Sequence, residues 1–366
     1  MTKIFKGKGC VKANEKEFAI GKRCLIVTGR NSAKKSGALY DVTAVLNDLS
    51  IPFTVYNGMT ENPLIENCVE AADMAREFCA DFVIGIGGGS PLDACKAVAT
   101  FASMPELDEN GLFDPDIKKT ALPIIAIPLT AGTGSEVDKN SVLTVNGKKH
   151  TYLDDCVFPV CAFLDPQYLK TLGSNYTVAT AIDAFCHCIE SYMSPKSTPE
   201  SEKAALDGGK LIWEALTQND FVPTDDDAAG LSEQTRLSML EGAALGGIAL
   251  TTTGTGFTHP LGYELSLKYG IPHGKACGCF TGKYVELNLT TEKGKERLGA
   301  FASYLGTTPE MIGAVIPALS DVNLALPEDE LERMVNKVSG ARNYVNAPYI
   351  LTDEKAHEIM TELLGC

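Results

Sequence analysis

The sequence predicts two regions of different fold class, an α/β domain with a parallel sheet over residues 1–166 and an all-helical domain over residues 167–366. In the first region, short apolar runs alternate with stretches that have helical periodicity. Apolar runs without polar interruptions are typical of parallel strands that are buried on both faces. Beyond Asp165 and Pro166, the remaining patterns are helical and no clear strand follows.

Four runs rich in β-branched or aromatic residues predict the strands of the first region. They cover residues 23–28, 53–56, 81–86 and 122–128. Helical periodicity runs through Leu39, Val42 and Val45 after the first strand, and over 63–79 after the second. The helices predicted for the second region are 176–193, 201–216, 231–250, 275–288, 308–320, 328–338 and 353–364.

The composition indicates a globular protein whose net charge disfavours binding to polyanions. Of the 366 residues, 45% are apolar and 22% are charged, and the net charge is −15 at pH 7. Nucleic-acid backbones and anionic membranes repel such a chain, so we expect neither as a partner. No apolar run approaches the ~18 residues of a membrane span, and the first residues lack the apolar core of a signal peptide. These features favour a cytoplasmic protein.

The twelve cysteines mostly lie singly in apolar runs, as small core residues do. This distribution indicates free thiols in a reducing compartment rather than disulfides. Two C-x-C pairs, Cys186/Cys188 and Cys277/Cys279, raise the possibility of a thiolate metal site. Residues i and i+2 of a helix diverge by about 200°, so we predict that neither pair binds one metal.

One aspartate and three histidines have a spacing that suits a divalent metal. Asp183 and His187 are four residues apart in a predicted helix, so both side chains project from one face. His259 and His273 follow, each beside a glycine or a proline. A mixed nitrogen and oxygen set suits Fe²⁺ or Zn²⁺ better than Mg²⁺ or Ca²⁺. A metal with one open position would act there as a Lewis acid.

A glycine-rich turn predicts a phosphate-binding loop. Gly87, Gly88 and Gly89 follow a predicted strand, and Ser90 and Asp93 suit the N-cap and capping box of a helix. Glycines let the backbone approach a ligand closely, and a helix N-terminus offers N–H groups to a pyrophosphate. A second loop of small residues, containing Thr130, Thr133 and Ser135, could line the same ligand.

The first strand-to-helix loop bears on the choice of dinucleotide. It contains Gly29, Arg30, Ser32, Lys34 and Lys35. An acid near this point binds the 2′-hydroxyl of NAD, whereas basic residues accommodate the 2′-phosphate of NADP. Because the acid is missing and three cations are present, we predict NADP(H) in preference to NAD(H).

Several motifs together resemble the iron-containing (group III) alcohol dehydrogenases. The resemblance covers essentially the whole chain. The first strand-to-helix loop, which contains Gly29, also resembles the glycine, serine and lysine loop of the NADPH-dependent butanol dehydrogenase branch. The motifs are GGGSPLDACK (87–96), PLTAGTGSEV (128–137), FLDP (163–166), TAIDAFCHCIESYMS (180–194), THPLGYELSLKYGIPHG (258–274) and YVNAPYILT (344–352).

The resemblance implies a dehydroquinate synthase-like architecture and reversible hydride transfer between a nicotinamide and a small alcohol or aldehyde. It implies that Asp183, His187, His259 and His273 bind Fe²⁺, with Zn²⁺ as an alternative. It assigns further residues to the dinucleotide, namely Gly87, Gly88, Gly89, Ser90, Asp93, Thr130, Thr133, Ser135 and Lys149. Asn140 matches a substrate-side position, and we expect Leu250 and Thr252 to line the substrate pocket. Relatives of this kind form homodimers or larger homo-oligomers.

The chain departs from the family pattern at two positions. Many members have a histidine four residues after the third ligand, where this chain has Tyr263, so a histidine-based proton relay is not expected and proton delivery would run through ordered water, ribose hydroxyls or Tyr263. NAD-using members have an aspartate where this chain has Gly29. Alternatives remain open: an NAD-preferring alcohol or diol dehydrogenase, a sugar-phosphate cyclase on the same scaffold, or a non-enzymatic metal-binding protein.

Overall fold

The computed structural model of the chain describes residues 2–219, 221 and 230–366. The chain divides into two compact units. Unit 1 comprises Met1–Gly173 with Asp225–Leu240, and unit 2 comprises Ser174–Thr224 with Glu241–Cys366. The domain boundary predicted after residue 166 stays a prediction.

Unit 1 contains a parallel sheet, as predicted. Its described strands are β1 Lys3–Lys6, β2 Cys24–Gly29, β3 Phe53–Met59, β4 Phe82–Gly87, β5 Ile124–Pro128, β6 Asn140–Val145, β7 Lys148–Leu153 and β8 Cys161–Leu164. Six of them form one sheet in the order β1-β8-β5-β4-β2-β3, and each neighbouring pair is parallel. The strands predicted at 23–28, 53–56, 81–86 and 122–128 correspond to β2, β3, β4 and β5.

Apolar residues cover both faces of this sheet. Alternate residues of one strand point to opposite faces, so Leu25 and Ile26 belong to different core clusters. Val83 and Ile84 of β4 divide in the same way. The core therefore lies on both faces of the sheet, which explains why the central strands are mostly apolar.

The sequence patterns missed four strands of unit 1, namely β1, β6, β7 and β8. Strands β6 and β7 form an antiparallel hairpin outside the main sheet. Its turn is Asn146-Gly147, and both residues have positive φ, of 49° and 74°. This geometry is typical of a tight two-residue hairpin turn, for which Asn-Gly is the favoured sequence.

The described helices of unit 1 are α1 Cys10–Ala13, α2 Ser32–Lys35, α3 Ala38–Asp48, α4 Ile65–Glu77 and α5 Gly89–Ser103. The remaining helices are α6 Ser174–Met193, α7 Pro199–Thr217, α8 Glu233–Thr253, α9 Thr258–Tyr269, α10 His273–Gly278, α11 Thr281–Asn288, α12 Glu292–Leu305, α13 Pro309–Ser320, α14 Glu328–Val338 and α15 Asp353–Leu364. The all-helical expectation is confirmed for the described residues of unit 2, which contain no strand.

Three helical details differ from the sequence prediction. The helix expected at 275–288 is two helices, α10 and α11, and α9 and α12 were not predicted. Helix α12 starts at a Thr291 cap whose hydroxyl accepts a hydrogen bond from the Gly294 amide, a signal that the sequence does contain. None of the helices in the described part of the chain is both long and apolar enough to cross a membrane.

Candidate metal centre and dinucleotide loops

The four candidate metal ligands all lie in unit 2, on three helices. Asp183 and His187 lie one turn apart on α6, as the spacing predicted. His259 lies in the first turn of α9, and His273 is the first residue of α10. The structure therefore brings together four residues that are spread over ninety positions of the sequence.

A glycine allows α10 to approach α6 closely. A Cβ atom at Gly274 would lie 1.8 Å from the carbonyl oxygen of Ala179, a distance that no side chain tolerates. The same Cβ would lie 2.7 Å from the amide nitrogen of Asp183. The absence of a side chain at Gly274 therefore lets its neighbour His273 reach Asp183.

The donor atoms surround one carboxylate oxygen. Asp183 Oδ1 lies 3.6 Å from His187 Nε2, 3.6 Å from His259 Nε2 and 3.9 Å from His273 Nε2. These spacings exceed those of a hydrogen bond. Within the described residues, Asp183 Oδ1 and His259 Nε2 are buried and have no hydrogen-bond partner. Buried polar atoms without a partner cost free energy, so this arrangement fits a cation held among them.

The electrostatics of the cluster also favour a cation. Burial alone would raise the pKa of the Asp183 carboxyl, but His187, His259 and His273 outweigh it and hold that pKa well below its usual range. Burial alone would lower the pKa of His259, yet Glu190 and Asp183 raise it to about 9. The protein thus concentrates negative charge where the three imidazoles meet.

Glu190 is a residue of this centre that sequence reasoning missed. It lies on α6, and its side chain is 0% exposed. Its Oε2 is 2.6 Å from His259 Nδ1, and its Oε1 accepts hydrogen bonds from the Thr258 amide and hydroxyl. Burial would raise the pKa of Glu190, but His259 and Thr258 lower it. Its spacing of seven residues from Asp183, which places both on one helix face, was the available signal.

Tyr263 and Cys277 both lie beside His273. The Tyr263 ring stacks on the His273 ring at a centroid distance of 6.1 Å. Burial raises the pKa of the Tyr263 hydroxyl. Cys277 Sγ is 3.7 Å from His273 Nδ1, and Cys277, Asp183, His259 and His273 offer donor atoms within 4.8 Å of one another. The sulfur therefore lies nearer to the cluster than the sequence suggested.

In unit 1, the glycine-rich turn packs against the second loop. A Cβ atom at Gly88 would lie 3.2 Å from Thr130 Cγ2, and one at Gly89 would lie 2.5 Å from Thr133 Cγ2. A Cβ at Gly87 would lie 2.5 Å from Pro91 Cγ. The structure therefore brings the two predicted phosphate loops together, and the glycines are required by space rather than by positive φ.

The prediction that Ser90 and Asp93 cap this helix is wrong. Helix α5 begins at Gly89, with Gly88 as N-cap and no side-chain hydrogen bond. The Ser90 hydroxyl instead accepts a hydrogen bond from the Asn62 amide at 3.2 Å. The Asp93 carboxylate accepts from the Ser135 hydroxyl at 2.5 Å and from the Val142 amide at 2.9 Å. The first turn of α5 is thus left without a side-chain cap, as suits a helix that receives an anion.

Lys96 of α5 holds the second small-residue loop and the start of β6 in place, and it was not predicted from the sequence. The side chain is 1% exposed. Its ammonium donates to the Ser135 hydroxyl at 2.8 Å, the Asp138 carboxylate at 2.5 Å and the Asn140 carbonyl at 2.6 Å. Ser135 and Asn140, expected at the cofactor and the substrate respectively, therefore both bond within the protein.

The first strand-to-helix loop is exposed at its basic residues. Gly29 ends β2, and Arg30 and Ser32 follow at the surface. Lys34 and Lys35 are also exposed and lie in the short helix α2. A Cβ at Gly29 would lie 3.4 Å from the Met59 carbonyl oxygen, so a side chain fits there with little adjustment.

Three remaining predicted residues lie on regular elements, and of these Thr252 is an exposed residue of α8. Lys149 lies on β7, opposite Thr144 of β6, and is half-buried. Leu250 lies near the end of α8 and is also half-buried.

Family models match nearly the whole chain. The model for "Iron-containing alcohol dehydrogenase" matches residues 1–166, and the model for the "Fe-containing alcohol dehydrogenase family, C-terminal" matches residues 177–362. The chain is 33% identical over 306 residues to Alcohol dehydrogenase 4 of Saccharomyces cerevisiae, which covers 82% of this chain and 78% of that protein.

Two further similar proteins are also alcohol dehydrogenases by name. The NADPH-dependent butanol dehydrogenase of Clostridium saccharobutylicum is 27% identical over 330 residues, covering 87% of this chain and 81% of that protein. The crystal structure of an iron-containing alcohol dehydrogenase from Thermotoga maritima superimposes with a TM-score of 0.89 at 34% identity, covering 100% of this chain and 98% of the other.

These matches agree with the resemblance seen in the motifs, and they leave a cyclase or a non-enzymatic role without support. Members of the matched family use a metal and a nicotinamide cofactor, and the cluster around Asp183 and the paired glycine loops are suited to hold them. The chain is a member of the iron-containing alcohol dehydrogenase family.

Proposed function

We propose that this oxidoreductase transfers a hydride reversibly between NADP(H) and a small alcohol or aldehyde, at a metal held by Asp183, His187, His259 and His273. One observation carries the proposal. A buried carboxylate oxygen faces three imidazole nitrogens at 3.6–3.9 Å, and no hydrogen bond joins it to them. Fe²⁺ suits this mixed set, and Zn²⁺ is compatible with it.

When bound, the metal supplies Lewis acidity toward the substrate oxygen and the nicotinamide carries the hydride. The protein's own residues orient and shield the reacting groups. His187 and His259 are almost fully buried, whereas the His273 side chain is 33% exposed, so the cluster opens on the side of His273. Tyr263 lies beside His273 on that side, and its protonated hydroxyl is our candidate hydrogen-bond donor in the proton relay, with ordered water and the ribose hydroxyls as alternatives.

The glycine loop supports dinucleotide binding. The backbone of Gly88 and Gly89 is free of Cβ atoms, and the first turn of α5 has no side-chain cap. A pyrophosphate would accept hydrogen bonds from those N–H groups. The Ser135 hydroxyl donates a hydrogen bond to the Asp93 carboxylate, which holds the second loop beside the glycines.

The metal assignment predicts that Asp183→Ala and His273→Ala each lose the metal and turnover. His150→Ala, at an exposed histidine of β7, is the matched control and should retain both. Metal content of the purified variants is measured by elemental analysis, with circular dichroism as the check on folding. Full occupancy in both site variants would refute the assignment.

Cofactor choice is tested at Gly29. Arg30, Lys34 and Lys35 would bind a 2′-phosphate, and a hydrogen bond to a charged group is worth about 1.5–3 kcal/mol, or ~10- to 100-fold in affinity. Wild type should therefore show a higher kcat/KM with NADPH than with NADH, and Gly29→Asp should reverse the order by repelling the phosphate. A wild-type preference for NADH at matched salt and metal would support an NAD-dependent alcohol or diol dehydrogenase instead.

The substrate and assembly complete the proposal. Leu250 is our candidate for a pocket wall. Asn140 stays a candidate, although its carbonyl accepts from Lys96 and its side-chain amide donates to Asp138 at 2.9 Å. A panel of alcohols, diols and aldehydes, assayed with both cofactors, identifies the substrate. A cytoplasmic homodimer is the proposed state, and sedimentation of the purified protein tests the dimer.

A further inference from the structure

The Glu190 carboxylate uses both of its oxygens, and each one contacts the start of α9. Oε1 accepts from the Thr258 amide at 2.9 Å and from the Thr258 hydroxyl at 2.7 Å. Oε2 lies 2.6 Å from His259 Nδ1. A Cβ atom at Gly256 would lie 2.8 Å from Oε1, so the segment before α9 passes directly over this carboxylate. Glu190 thereby ties α9 to α6, the helix that also carries Asp183 and His187.

This contact decides which nitrogen of His259 can bind a metal. An ionised carboxylate only accepts hydrogen bonds, so when the His259 ring gives up a proton to bind a metal, the proton that remains must lie on Nδ1. The other nitrogen, Nε2, then presents its lone pair. Nε2 is also the atom that faces Asp183 Oδ1 at 3.6 Å and has no hydrogen-bond partner within the described residues.

We infer that Glu190 is a positioning residue that fixes the tautomer and ring plane of His259, so that Nε2 is presented to the metal beside Asp183. The inference rests on the proposed metal centre. A carboxylate behind a ligating histidine raises the basicity of the ring and holds its orientation, and losing such a partner costs ~10- to 100-fold in metal affinity.

A purely structural role would have a different signature. Glu190 also accepts from the first-turn amide of Thr258, which by itself stabilises the start of α9. If that were its only role, removing the charge would lower the melting temperature of metal-free protein and leave metal affinity unchanged. Tautomer control predicts the reverse, because the affected property is the availability of Nε2.

The test compares three variants of the full chain by competition for Zn²⁺ with a chromogenic chelator. Glu190→Gln keeps the side-chain volume but places an amide against Nδ1, so we expect metal affinity to fall by about 10- to 100-fold. Glu190→Asp keeps the charge and should recover part of the loss. Glu264→Gln, at a buried glutamate of α9 that pairs with Arg333 and Lys337, is the matched control and should bind as wild type does.

The melting temperature of each metal-free variant is measured in parallel. Wild-type affinity in Glu190→Gln would overturn the inference, as would an equal loss in Glu264→Gln. A loss in Glu190→Gln that Glu190→Asp does not relieve, together with a lowered melting temperature of the metal-free protein, would also overturn it, because the lost affinity would then follow from displacement of α9 and not from the state of the His259 ring. His259→Ala separates the two proposals. If it too retains wild-type affinity, the metal centre itself is wrong; if it loses affinity while Glu190→Gln does not, only the positioning role is wrong.

Discussion

Two buried polar clusters, one in each compact unit, balance their charges in opposite ways. In unit 1, the Lys96 ammonium donates to Ser135, Asp138 and the Asn140 carbonyl at 2.5–2.8 Å, so the cation is part of the chain. In unit 2, the Asp183 oxygen faces three imidazoles at 3.6–3.9 Å without a hydrogen bond. The first cluster is complete as folded, whereas the second has the geometry of a site that receives its cation from solution.

The comparison distinguishes a buried charge that is paired within the protein from a buried charge that is suited to bind a metal. A buried ion pair with satisfied hydrogen bonds fixes the local backbone, here the segment that carries Thr130 and Thr133 to the glycine loop. The Asp183 Oδ1 atom is buried and has no hydrogen-bond partner among the described residues, so a metal bound there would compensate its charge. Each of the following predictions tests one side of this contrast.

The largest effect on stability is expected from replacing Lys96, whose ammonium is the buried cation of unit 1. Lys96→Met leaves Asp138 buried without its partner, and breaking a buried pair from one side costs about 3–5 kcal/mol. The free energy of unfolding of unit 1 is measured by urea titration with circular dichroism. The sole tryptophan, Trp213, lies in α7 of unit 2, so its fluorescence reports on the other unit as an internal control. A loss below about 1 kcal/mol would contradict the structural role of Lys96.

Removing the proposed metal ion from the Asp183 cluster should have a smaller effect on stability, confined to unit 2. A metal at 100 times its dissociation constant stabilises the folded state by about 2.7 kcal/mol. Chelation should therefore shift the unfolding transition reported by Trp213 fluorescence. Asp183→Asn should abolish this shift and leave the metal-free protein close to wild type in stability. A chelation shift that persists in Asp183→Asn would place the metal elsewhere.

The third prediction concerns pH and the carboxyl groups around Lys96. Burial raises the pKa of Glu136 to about 7, with Asp138 adding to the shift and Lys96 opposing it. The folded state therefore keeps a proton that the unfolded chain releases near pH 4.5, so unfolding of unit 1 becomes easier as pH rises from 4.5 to about 7.

One retained proton corresponds to a slope of about 1.4 kcal/mol per pH unit. Glu136→Gln should remove the contribution of the Glu136 carboxyl to the pH dependence of the free energy of unfolding. Urea titrations between pH 4.5 and 8 measure this dependence. Burial also raises the pKa of Asp93, to about 6, so a residual slope is expected in the variant. An unchanged slope in Glu136→Gln would mean that the Glu136 carboxyl is ionised throughout this range.

The smallest effects are expected at the thiols. Cys186 Sγ lies 3.6 Å from the Thr281 hydroxyl, and Cys279 Sγ donates to the Ala276 carbonyl at 3.3 Å. Only Cys277, through its approach to His273, competes as a ligand. Serine replacements at Cys186, Cys188, Cys277 and Cys279 should each leave metal content near that of wild type. Loss of metal in Cys277→Ser alone would make its sulfur a fifth donor.

Much of the fold could be predicted because its signals are local. Strand β2 is apolar from Cys24 to Val27, β4 is apolar throughout, and α6 has regular helical periodicity, so each could be recognised in its own sequence. The hairpin of β6 and β7 was missed although Asn146-Gly147 marks its turn, because its strands have mixed polarity. Helix α9 contains Pro260 and Gly262, which weaken the helical pattern, and tertiary packing overrides them.

The candidate ligands could be predicted because histidines are rare in this chain and their spacing is informative. The residues that support them could not. Glu190 and Lys96 are charged residues in helices, and such residues are usually solvent-exposed. Their burial depends on which loops fold over them, which is a property of long-range contacts. The capping prediction for Ser90 failed for the same reason, since its partner is Asn62.

The glycine contact between α10 and α6 bears on which ions the centre accepts. With a Cβ position only 1.8 Å from the Ala179 carbonyl oxygen, Gly274 sets the separation of the two helices by contact between their backbones. Side chains can change rotamer to accommodate a larger ion, but main chains in contact cannot yield without moving a whole helix. The separation of the backbones that carry Asp183 and His273 is therefore fixed, which limits how far the two side chains can spread. We expect competition titrations to show tighter binding of Fe²⁺, Co²⁺ and Zn²⁺ than of the larger Cd²⁺ and Ca²⁺.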